Sequence, residues 1–238
     1  MWAILADPTR RGSRWDLSEF LATGETEIDT VMSHISSLGV RIDFSGVAFD
    51  FGCGIGRLTQ ALGRRFAKCI GVDISATMIE KAEALNPDPE KCGFHVNRSP
   101  SLEMFADDSF SFIYSNIVLQ HMSPHYAGRY IREFVRVLRP SGVLVFQTSD
   151  SIRGPLLTRL RARIRFRTGL MSLFRTAPMA MHFFPEGQVR KLLGGVRLVE
   201  VSFTNACQKN FNGVLAFAQH GPTEGYISKA YIVSKDRN

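Results

Sequence analysis

Three glycines stand at alternate positions in this sequence, Gly52, Gly54 and Gly56, and their spacing indicates a turn that binds a ligand. Because they lack Cβ atoms, the backbone can turn sharply there and approach a ligand closely. The helix pattern that follows would place N–H groups and a positive dipole end at the same point, where an anion can bind. Asp73 follows the next apolar run, at a position where a carboxylate can bind ribose hydroxyls. The combination predicts a site for a nucleotide-type cofactor.

The elements around these residues have the pattern of strand, turn, helix and second strand. Val47–Phe51 is short and mostly apolar, as is typical of a strand buried on both faces. Apolar residues at positions 58, 61 and 62 recur at helical spacing. A second apolar strand, 69–72, ends directly before Asp73. The local pattern therefore predicts a parallel strand pair with the glycine turn between the first strand and its helix.

The glycine spacing also distinguishes between cofactors. The dinucleotide fingerprint is Gly-x-Gly-x-x-Gly. Position six is Arg57 when the motif is read from Gly52, and Thr59 when it is read from Gly54, so neither register fits. A nucleotide- or NAD-dependent oxidoreductase on a similar topology is therefore the disfavoured alternative.

The glycine motif and four later motifs occur in the order typical of one enzyme family. The set reads Asp50-x-Gly52-x-Gly54-x-Gly56, Gly71-Val-Asp73-Ile-Ser75-x-x-Met78-Ile79, Asp108-Ser-Phe110, His121 and Arg136-Val-Leu-Arg139-Pro140-Ser-Gly142. It covers roughly residues 45 to 150. In this order the motifs resemble those of class I S-adenosylmethionine-dependent methyltransferases, within the broad type 11 group that includes quinone-biosynthesis enzymes.

The resemblance implies an α/β fold with a doubly wound, mostly parallel, seven-stranded Rossmann-like sheet, N-terminal helices and an inserted helical cap. It implies S-adenosyl-L-methionine as the cofactor and S-adenosyl-L-homocysteine as the product. By the same resemblance, the methionine carboxylate meets the glycine loop, Asp73 binds the ribose, and Asp50 orients the loop or reaches the amino group. The residues expected to bind the cofactor are Asp50, Gly52, Cys53, Gly54, Gly56, Asp73, Ile74, Asn97 and Asn116.

The loop after the predicted third strand departs from the family pattern. It reads Asn97-Arg98-Ser99-Pro100-Ser101-Leu102 and lacks the acidic residue that commonly contacts the adenine amino group in the family. We expect Asn97 or a backbone group to take the place of that carboxylate.

The resemblance also gives candidates for the acceptor side of the site. Methyl transfer needs orientation and a desolvated pocket, and it needs a base only when the attacking atom must lose a proton. His121 follows the fourth strand and titrates near neutrality, so it is the first candidate base, with a structural or pocket-lining role as the alternative. His182 is a second candidate base, and Gln120 binds substrate or caps the next helix. Trp15 and Phe20 line the pocket or pack between helices.

Length and composition bound the architecture. We predict four parts in the 238 residues: an N-terminal helical cap (1–40), a cofactor-binding core (41–150), a basic cap insertion (151–185) and a C-terminal helix with the last two strands (186–238). Hydrophobic residues make up 45% and charged residues 21%, as is ordinary for a soluble globular protein. No apolar run approaches the roughly 20 residues that span a bilayer. The four cysteines lack metal-ligand or CxxC spacing, so we expect no metal, reduced thiols and a cytoplasmic location.

The net charge of +7 is unevenly distributed. Residues 1–150 carry 15 Lys and Arg against 18 Asp and Glu, whereas residues 151–238 carry 14 against 4. Five arginines alternate with other residues between positions 159 and 167. In a strand all five would lie on one face, whereas in a helix they would be divided between faces, so the two patterns conflict. A solvated helix face is one interpretation. The alternatives are attraction of an anionic substrate or acyl-carrier partner, and peripheral contact with anionic lipid.

Nucleic acid is disfavoured as a partner. The family's amino-methylating DNA enzymes carry an Asp/Asn-Pro-Pro-aromatic motif where this chain has Ser115-Asn-Ile-Val, and no RNA-binding module is recognisable. The sequence thus predicts a methyltransferase acting on an O, N or C atom of a small-molecule substrate, with anionic molecules among the candidates. A protein that binds the cofactor without transferring methyl is the alternative from another functional class. The sequence does not indicate the oligomeric state.

Overall fold

The structure is a computed structural model that describes residues 16–153, 181–205, 215, 217–219 and 225–235. The helices in these ranges are α1 (Leu17–Ser37), α2 (Arg57–Gly63), α3 (Ala76–Ala84), α4 (Pro124–Val137) and α5 (Glu186–Leu192). The strands are β1 (Val47–Phe51), β2 (Lys68–Asp73), β3 (Cys92–Val96), β4 (Phe110–Ser115), β5 (Leu138–Arg153), β6 (Arg197–Thr204), β7 (Phe217–Ala218) and β8 (Gly225–Ser234).

All described strands belong to one sheet, in the order β3-β2-β1-β4-β5-β8-β6-β7. β1 to β5 pair in parallel, whereas β8, β6 and β7 pair antiparallel with their neighbours. β1 lies between β2 and β4, so the strand order reverses there and a crevice forms beside the carboxyl ends of these strands. The arrangement confirms the predicted doubly wound, mostly parallel α/β fold.

The sheet has eight strands rather than the predicted seven. The additional strand, β7, is two residues long and pairs with Phe203 and Thr204 of β6. Two residues are too few for a periodic pattern, so the sequence carries no signal for this strand. The two predicted C-terminal strands, 196–203 and 226–233, correspond to β6 and β8 with each end displaced by one residue.

β5 is also longer than predicted. The apolar segment 143–146 predicts a short strand, but β5 extends over 16 residues. β8 pairs with it antiparallel from Val143 to Arg153, so hydrogen bonds continue the strand beyond its apolar segment. The Arg139-Pro-Ser-Gly142 segment is typical of a helix stop, and α4 does end just before it, at Val137. The segment itself forms an irregular start of β5, with Ser141 at a φ of 63° and a register shift against β4.

Two hydrophobic cores cover the two faces of the sheet. Alternate residues of β5 separate them: Leu144 and Phe146 belong to the core under α4 and α5, and Val143 and Val145 to the core under α1 and α2. α1 begins as its capping pattern predicts, because the Asp16 carboxylate accepts hydrogen bonds from the first N–H groups of the helix. No helix in the described ranges is long and apolar enough to cross a membrane. The arginine-rich segment 159–167 lies outside the described residues.

Candidate functional site

A cavity of about 530 Å³ lies at the carboxyl ends of β1 and β2 and beside the segment that follows β4. Ligands of open α/β sheets bind at such a reversal of strand order. The volume falls within the range of small-molecule and cofactor sites, about 300–1,000 Å³. Residues that line the cavity include Gly52, Asp73, Ile74, Asn97, His121, Tyr126 and Tyr130. The structure therefore brings together five of the residues that the sequence predicts for the site.

The glycine loop requires glycine for two separate reasons. Gly52, Gly54 and Gly56 have φ values of 80°, 55° and 85°, a region that residues with a Cβ adopt only with strain. At Gly52 a Cβ would also lie 2.3 Å from the Cγ2 atom of Val118. The Gly52 N–H donates to the carbonyl oxygen of Val72 at 2.8 Å, which ties the loop to β2. The backbone between β1 and α2 thus packs tightly against Val118 and against β2.

Asp73 is held from two sides by backbone N–H groups. Its Oδ2 accepts from the Gly54 N–H at 3.0 Å, and its Oδ1 accepts from the Ser75 N–H at 2.9 Å. Each oxygen of an ionised carboxylate has a second lone pair, so both can accept a further hydrogen bond. Asp73 lines the cavity, and its fixed orientation suits it to bind a pair of hydroxyl groups.

Asp50 and Cys53 lie beneath the loop and not among the cavity-lining residues. Asp50 is buried, and its Oδ2 accepts from the Thr59 hydroxyl at 2.7 Å. Burial raises the pKa of Asp50 to about 7, although the Thr59 hydrogen bond and the Arg57 charge act to lower it. Cys53 packs in a cluster with Phe94 of β3, and burial raises the pKa of its thiol. Gly56 is packed similarly, since a Cβ there would lie 2.7 Å from Phe94.

Two further predicted cofactor residues line the cavity in different ways. Ile74 is 72% exposed and presents an apolar surface beside Asp73. Asn97 is buried, and its side chain serves its own loop: Nδ2 donates to the Ser101 carbonyl at 3.0 Å, and Oδ1 accepts from the Ser99 N–H at 3.1 Å. The side chain of Asn97 therefore shapes the loop beside the cavity that it lines.

A buried carboxylate that the sequence analysis missed joins α1 to the glycine loop and to β4. Glu27 is fully buried and accepts hydrogen bonds from Tyr114 Oη (2.7 Å), Asn116 Nδ2 (2.8 Å) and Arg57 Nη2 (3.0 Å). Arg57 is the residue directly after Gly56. A sequence signal was available, because Glu27 stands within the apolar face of α1, one residue before buried Ile28. Asn116, predicted to bind cofactor, contacts this carboxylate and is not among the lining residues.

His121 and Gln120 lie in a 3-10 turn between β4 and α4. His121 lines the cavity, whereas Gln120 is buried behind it and its Oε1 accepts from Gln147 (3.1 Å) and Ser149 (3.4 Å). The Gln120 amide nitrogen therefore faces His121 and donates to the ring Nε2 at 3.2 Å. His182, the second candidate base, contacts this group through its backbone, since its N–H donates to the Gln120 carbonyl at 2.7 Å.

The two N-terminal aromatic candidates have different outcomes. Trp15 lies outside the described residues. Phe20 is fully buried and packs against Ile55, with Met78 of α3 and Leu85, the residue directly after α3, at the edge of the same cluster. Phe20 therefore packs between helices, which is one of the two roles that the sequence left open for it.

Comparison with known proteins shows which proteins the cofactor half of this chain resembles. The profile of the methyltransferase domain family matches residues 49–146. The chain is 31% identical to trans-aconitate 2-methyltransferase from Methylobacterium radiotolerans over 130 residues, which are 52% of this chain and 45% of that enzyme. It is 28% identical over 181 residues to ubiquinone biosynthesis O-methyltransferase from Methylococcus capsulatus, covering 71% of this chain and 68% of that enzyme. The first of these matches thus spans less than half of its relative.

A solved structure has the same fold. The magnesium protoporphyrin IX methyltransferase of Synechocystis, determined with bound SAH, superposes with a TM-score of 0.59 at 17% identity, over 96% of this chain and 92% of that one. At this identity the match concerns the fold alone. The family profile, however, covers the glycine loop, Asp73, His121 and most of β5. Residues 49–146 of this chain thus match the methyltransferase domain family, and the solved structure shows the shared fold.

Proposed function

We propose that this protein is a cytoplasmic methyltransferase that moves a methyl group from S-adenosylmethionine to an O, N or C atom of a small molecule. The observation that carries the proposal is the cradle formed by the glycine loop and Asp73 at the mouth of a 530 Å³ cavity. Gly52 lets the loop pack directly against Val118, which also lines the cavity. These residues fit a ligand that combines an amino acid, a ribose and a purine.

The chain's own residues would bind and orient the two reactants. The Asp73 carboxylate would accept the ribose hydroxyls, and the methionine part of the cofactor would lie against the glycine loop, whose N–H groups at Gly52 and Gly54 are already donated within the protein. Ile74 and Tyr126 supply apolar surface at the cavity. The cofactor, when bound, supplies an activated methyl group on a cationic sulfur. The protein's contribution is then mainly alignment of the acceptor and exclusion of water.

His121 is the residue we propose at the acceptor side, because it lines the cavity. The Gln120 amide fixes the ring and selects the neutral tautomer with its proton on Nδ1. In this tautomer the only ring lone pair, on Nε2, already accepts from the Gln120 amide, so His121 would position the acceptor; it would act as a base only after the ring exchanges that hydrogen bond for one to the acceptor. The two named relatives above act, by their names, on small molecules, which supports a small-molecule acceptor here.

Two measurements test the proposal. Isothermal titration calorimetry with S-adenosylhomocysteine should show binding by the native protein, and a loss of about 100-fold or more for Asp73→Ala, whose two ribose hydrogen bonds are charge-assisted. Asp88→Ala, an exposed carboxylate distant from the cavity lining, is the matched control and should bind normally. Equal affinity of the native and Asp73→Ala proteins would contradict the site assignment.

Turnover separates an enzyme from a protein that only binds the cofactor. The native protein is incubated with methyl-labelled S-adenosylmethionine and a metabolite extract, and the labelled product is identified by mass spectrometry. Label should move to a small molecule, and His121→Ala should lower that rate if the ring acts as the base. Binding of S-adenosylhomocysteine without any labelled product would favour the non-catalytic alternative.

A further inference from the structure

A second cavity, of about 330 Å³, lies at the carboxyl end of β5. Residues of β5, β8 and β6 line it, and none of them lines the cofactor cavity. Ile227 in its lining is buried and Phe203 is half-buried, whereas Arg153 is exposed. The cavity therefore combines apolar surface with charged groups, and the proposed methyl transfer does not use it.

Two cations of this cavity lie over one aromatic ring. The Nζ atom of Lys229 is 5.4 Å and the Cζ atom of Arg153 is 6.0 Å from the centroid of the Phe203 ring. Both distances are within the range of cation–π contacts. Like charges repel each other, so placing a guanidinium and an ammonium at one ring costs free energy unless anionic groups lie near both. The carboxylates around the two cations therefore decide whether a charge is left over.

These carboxylates are balanced before Arg153 is counted. The Lys229 Nζ donates to Glu186 Oε2 at 2.7 Å and lies 3.5 Å from Asp150 Oδ1. The Arg190 Nε donates to the other oxygen of Glu186 at 2.6 Å. Two carboxylates thus face two cations, Lys229 and Arg190. The guanidinium of Arg153 is a third positive charge, and no described carboxylate compensates it.

The carboxylate of Asp150, three positions before Arg153 in β5, has its hydrogen bonds elsewhere. Its Oδ1 accepts from the Glu186 N–H at 2.8 Å, and its Oδ2 accepts from the Ser151 hydroxyl at 2.9 Å. Among the described residues, the Arg153 guanidinium contacts the Phe203 ring and forms no ion pair. Its planar N–H donors match the two oxygens of a carboxylate. The unused donors at this cavity therefore suit a ligand with a carboxylate group.

The backbone of residues 182–186 connects the second cavity with the 3-10 turn between β4 and α4. At one end the His182 N–H donates to the Gln120 carbonyl at 2.7 Å, and at the other the Glu186 N–H donates to Asp150. The second cavity and the acceptor side of the cofactor cavity are thus held to one segment. A carboxylate in the second cavity can therefore belong to the methyl acceptor or to a separate ligand.

We propose that the second cavity binds a carboxylate that is attached to a small apolar group. The Arg153 guanidinium would donate to both carboxylate oxygens, and the Lys229 ammonium, which has three N–H donors, would add a further hydrogen bond. The apolar group would lie against Ile227 and Phe203. Binding at this cavity requires no methyl transfer, so the inference goes beyond the proposed function and does not depend on it.

NMR of the protein with labelled isoleucine methyl groups reports on the two cavities separately, because Ile227 lines the second cavity and Ile74 the cofactor cavity. Isocaproate should shift the Ile227 methyl signals and leave those of Ile74 in place. Isocaproamide has the same shape without the charge and should bind at least about tenfold more weakly. Arg153→Gln should weaken isocaproate binding by about tenfold or more. Arg132→Gln, an exposed arginine of α4 that lines neither cavity, is the matched control and should keep the affinity within about twofold.

A competition experiment identifies the source of the carboxylate. Saturating isocaproate should lower the transfer of label from S-adenosylmethionine if the acceptor's own carboxylate occupies the cavity, and should leave it unchanged if a separate ligand does; either result supports the site. Unshifted Ile227 signals, equal affinity for isocaproate and isocaproamide, or undiminished binding by Arg153→Gln would overturn the inference. S-adenosylhomocysteine should shift the Ile74 signals in every variant, and its failure to do so would instead contradict the proposed function.

Discussion

Asp50 makes the stability of the ligand-free protein depend on pH in an unusual direction. The carboxyl group is 1% exposed, and burial raises its pKa from 3.8 to about 7. A group whose pKa is higher in the folded than in the unfolded state binds protons preferentially on folding. The folded state is therefore favoured by this group at low pH, and the advantage is lost as pH rises from about 4 to about 7. Most paired carboxylates have the opposite effect.

The magnitude follows from the two pKa values. Each pKa unit corresponds to about 1.4 kcal/mol, so the free energy of unfolding should fall by about 2.5 kcal/mol between pH 5 and pH 8 because of Asp50 alone. Asp50→Asn cannot titrate, and its amide oxygen can still accept from the Thr59 hydroxyl. The difference in unfolding free energy between variant and native protein should therefore grow by about 2.5 kcal/mol, in favour of the variant, over this interval.

Urea denaturation followed by circular dichroism at pH 5, 6, 7 and 8 measures this difference. Any constant offset from the substitution cancels, because only the change with pH is compared. Thr59→Val is an internal check: the Thr59 hydrogen bond lowers the pKa of Asp50, so its removal should extend the pH dependence to higher pH. A difference that stays constant within about 0.5 kcal/mol from pH 5 to pH 8 would refute the reasoning.

Two stability predictions concern the attachment of α1. Gly24→Ala should destabilise the protein by about 1–3 kcal/mol in urea denaturation, because the new Cβ would lie 2.5 Å from the Arg57 carbonyl oxygen, despite the better helix propensity of alanine. Gly187→Ala in α5, where a Cβ meets nothing within 4 Å, is its control and should be neutral or stabilising; equal effects would count against the contact. His34→Ala should cost about 1–2 kcal/mol, because the ring stacks on Phe217 at 4.1 Å and bonds Glu200. His95→Ala, on the exposed side of β3, is the control, and its free energy of unfolding should stay within about 0.5 kcal/mol of the native value. A His34→Ala protein as stable as the native protein would exclude an anchoring role for His34.

Much of the cofactor half of the molecule could be predicted from local patterns. The alternate glycines, the short apolar strands and the acidic residue after β2 depend on steric and periodic requirements that act between near neighbours in the chain. For this reason Gly52 and Asp73 lie where the motif predicts, at the carboxyl ends of β1 and β2 beside the strand-order reversal. The bounds of β6 and β8 were predictable to one residue because both have strand-like composition along their whole length.

Other features depend on residues that are distant in sequence. β7 exists only through its pairing with β6, and the length of β5 is set by hydrogen bonds to β8. In the loop after β3, the sequence does not show that both ends of the Asn97 amide form hydrogen bonds within the loop itself, with Ser101 and Ser99. In each of these cases the deciding partner could not be identified from spacing alone.

Local sequence and tertiary structure each determine part of the glycine loop and its surroundings. The loop's glycine spacing predicted a nucleotide-type cofactor site, because positive φ values and close approach of the backbone are local demands that only glycine satisfies at low cost. Its surroundings were decided by the tertiary structure: Glu27, 30 positions before Arg57 in sequence, is buried beside it, and Asn116 is turned by that carboxylate. A buried charge must find its partners wherever the fold brings them, and no local pattern specifies which residues those will be.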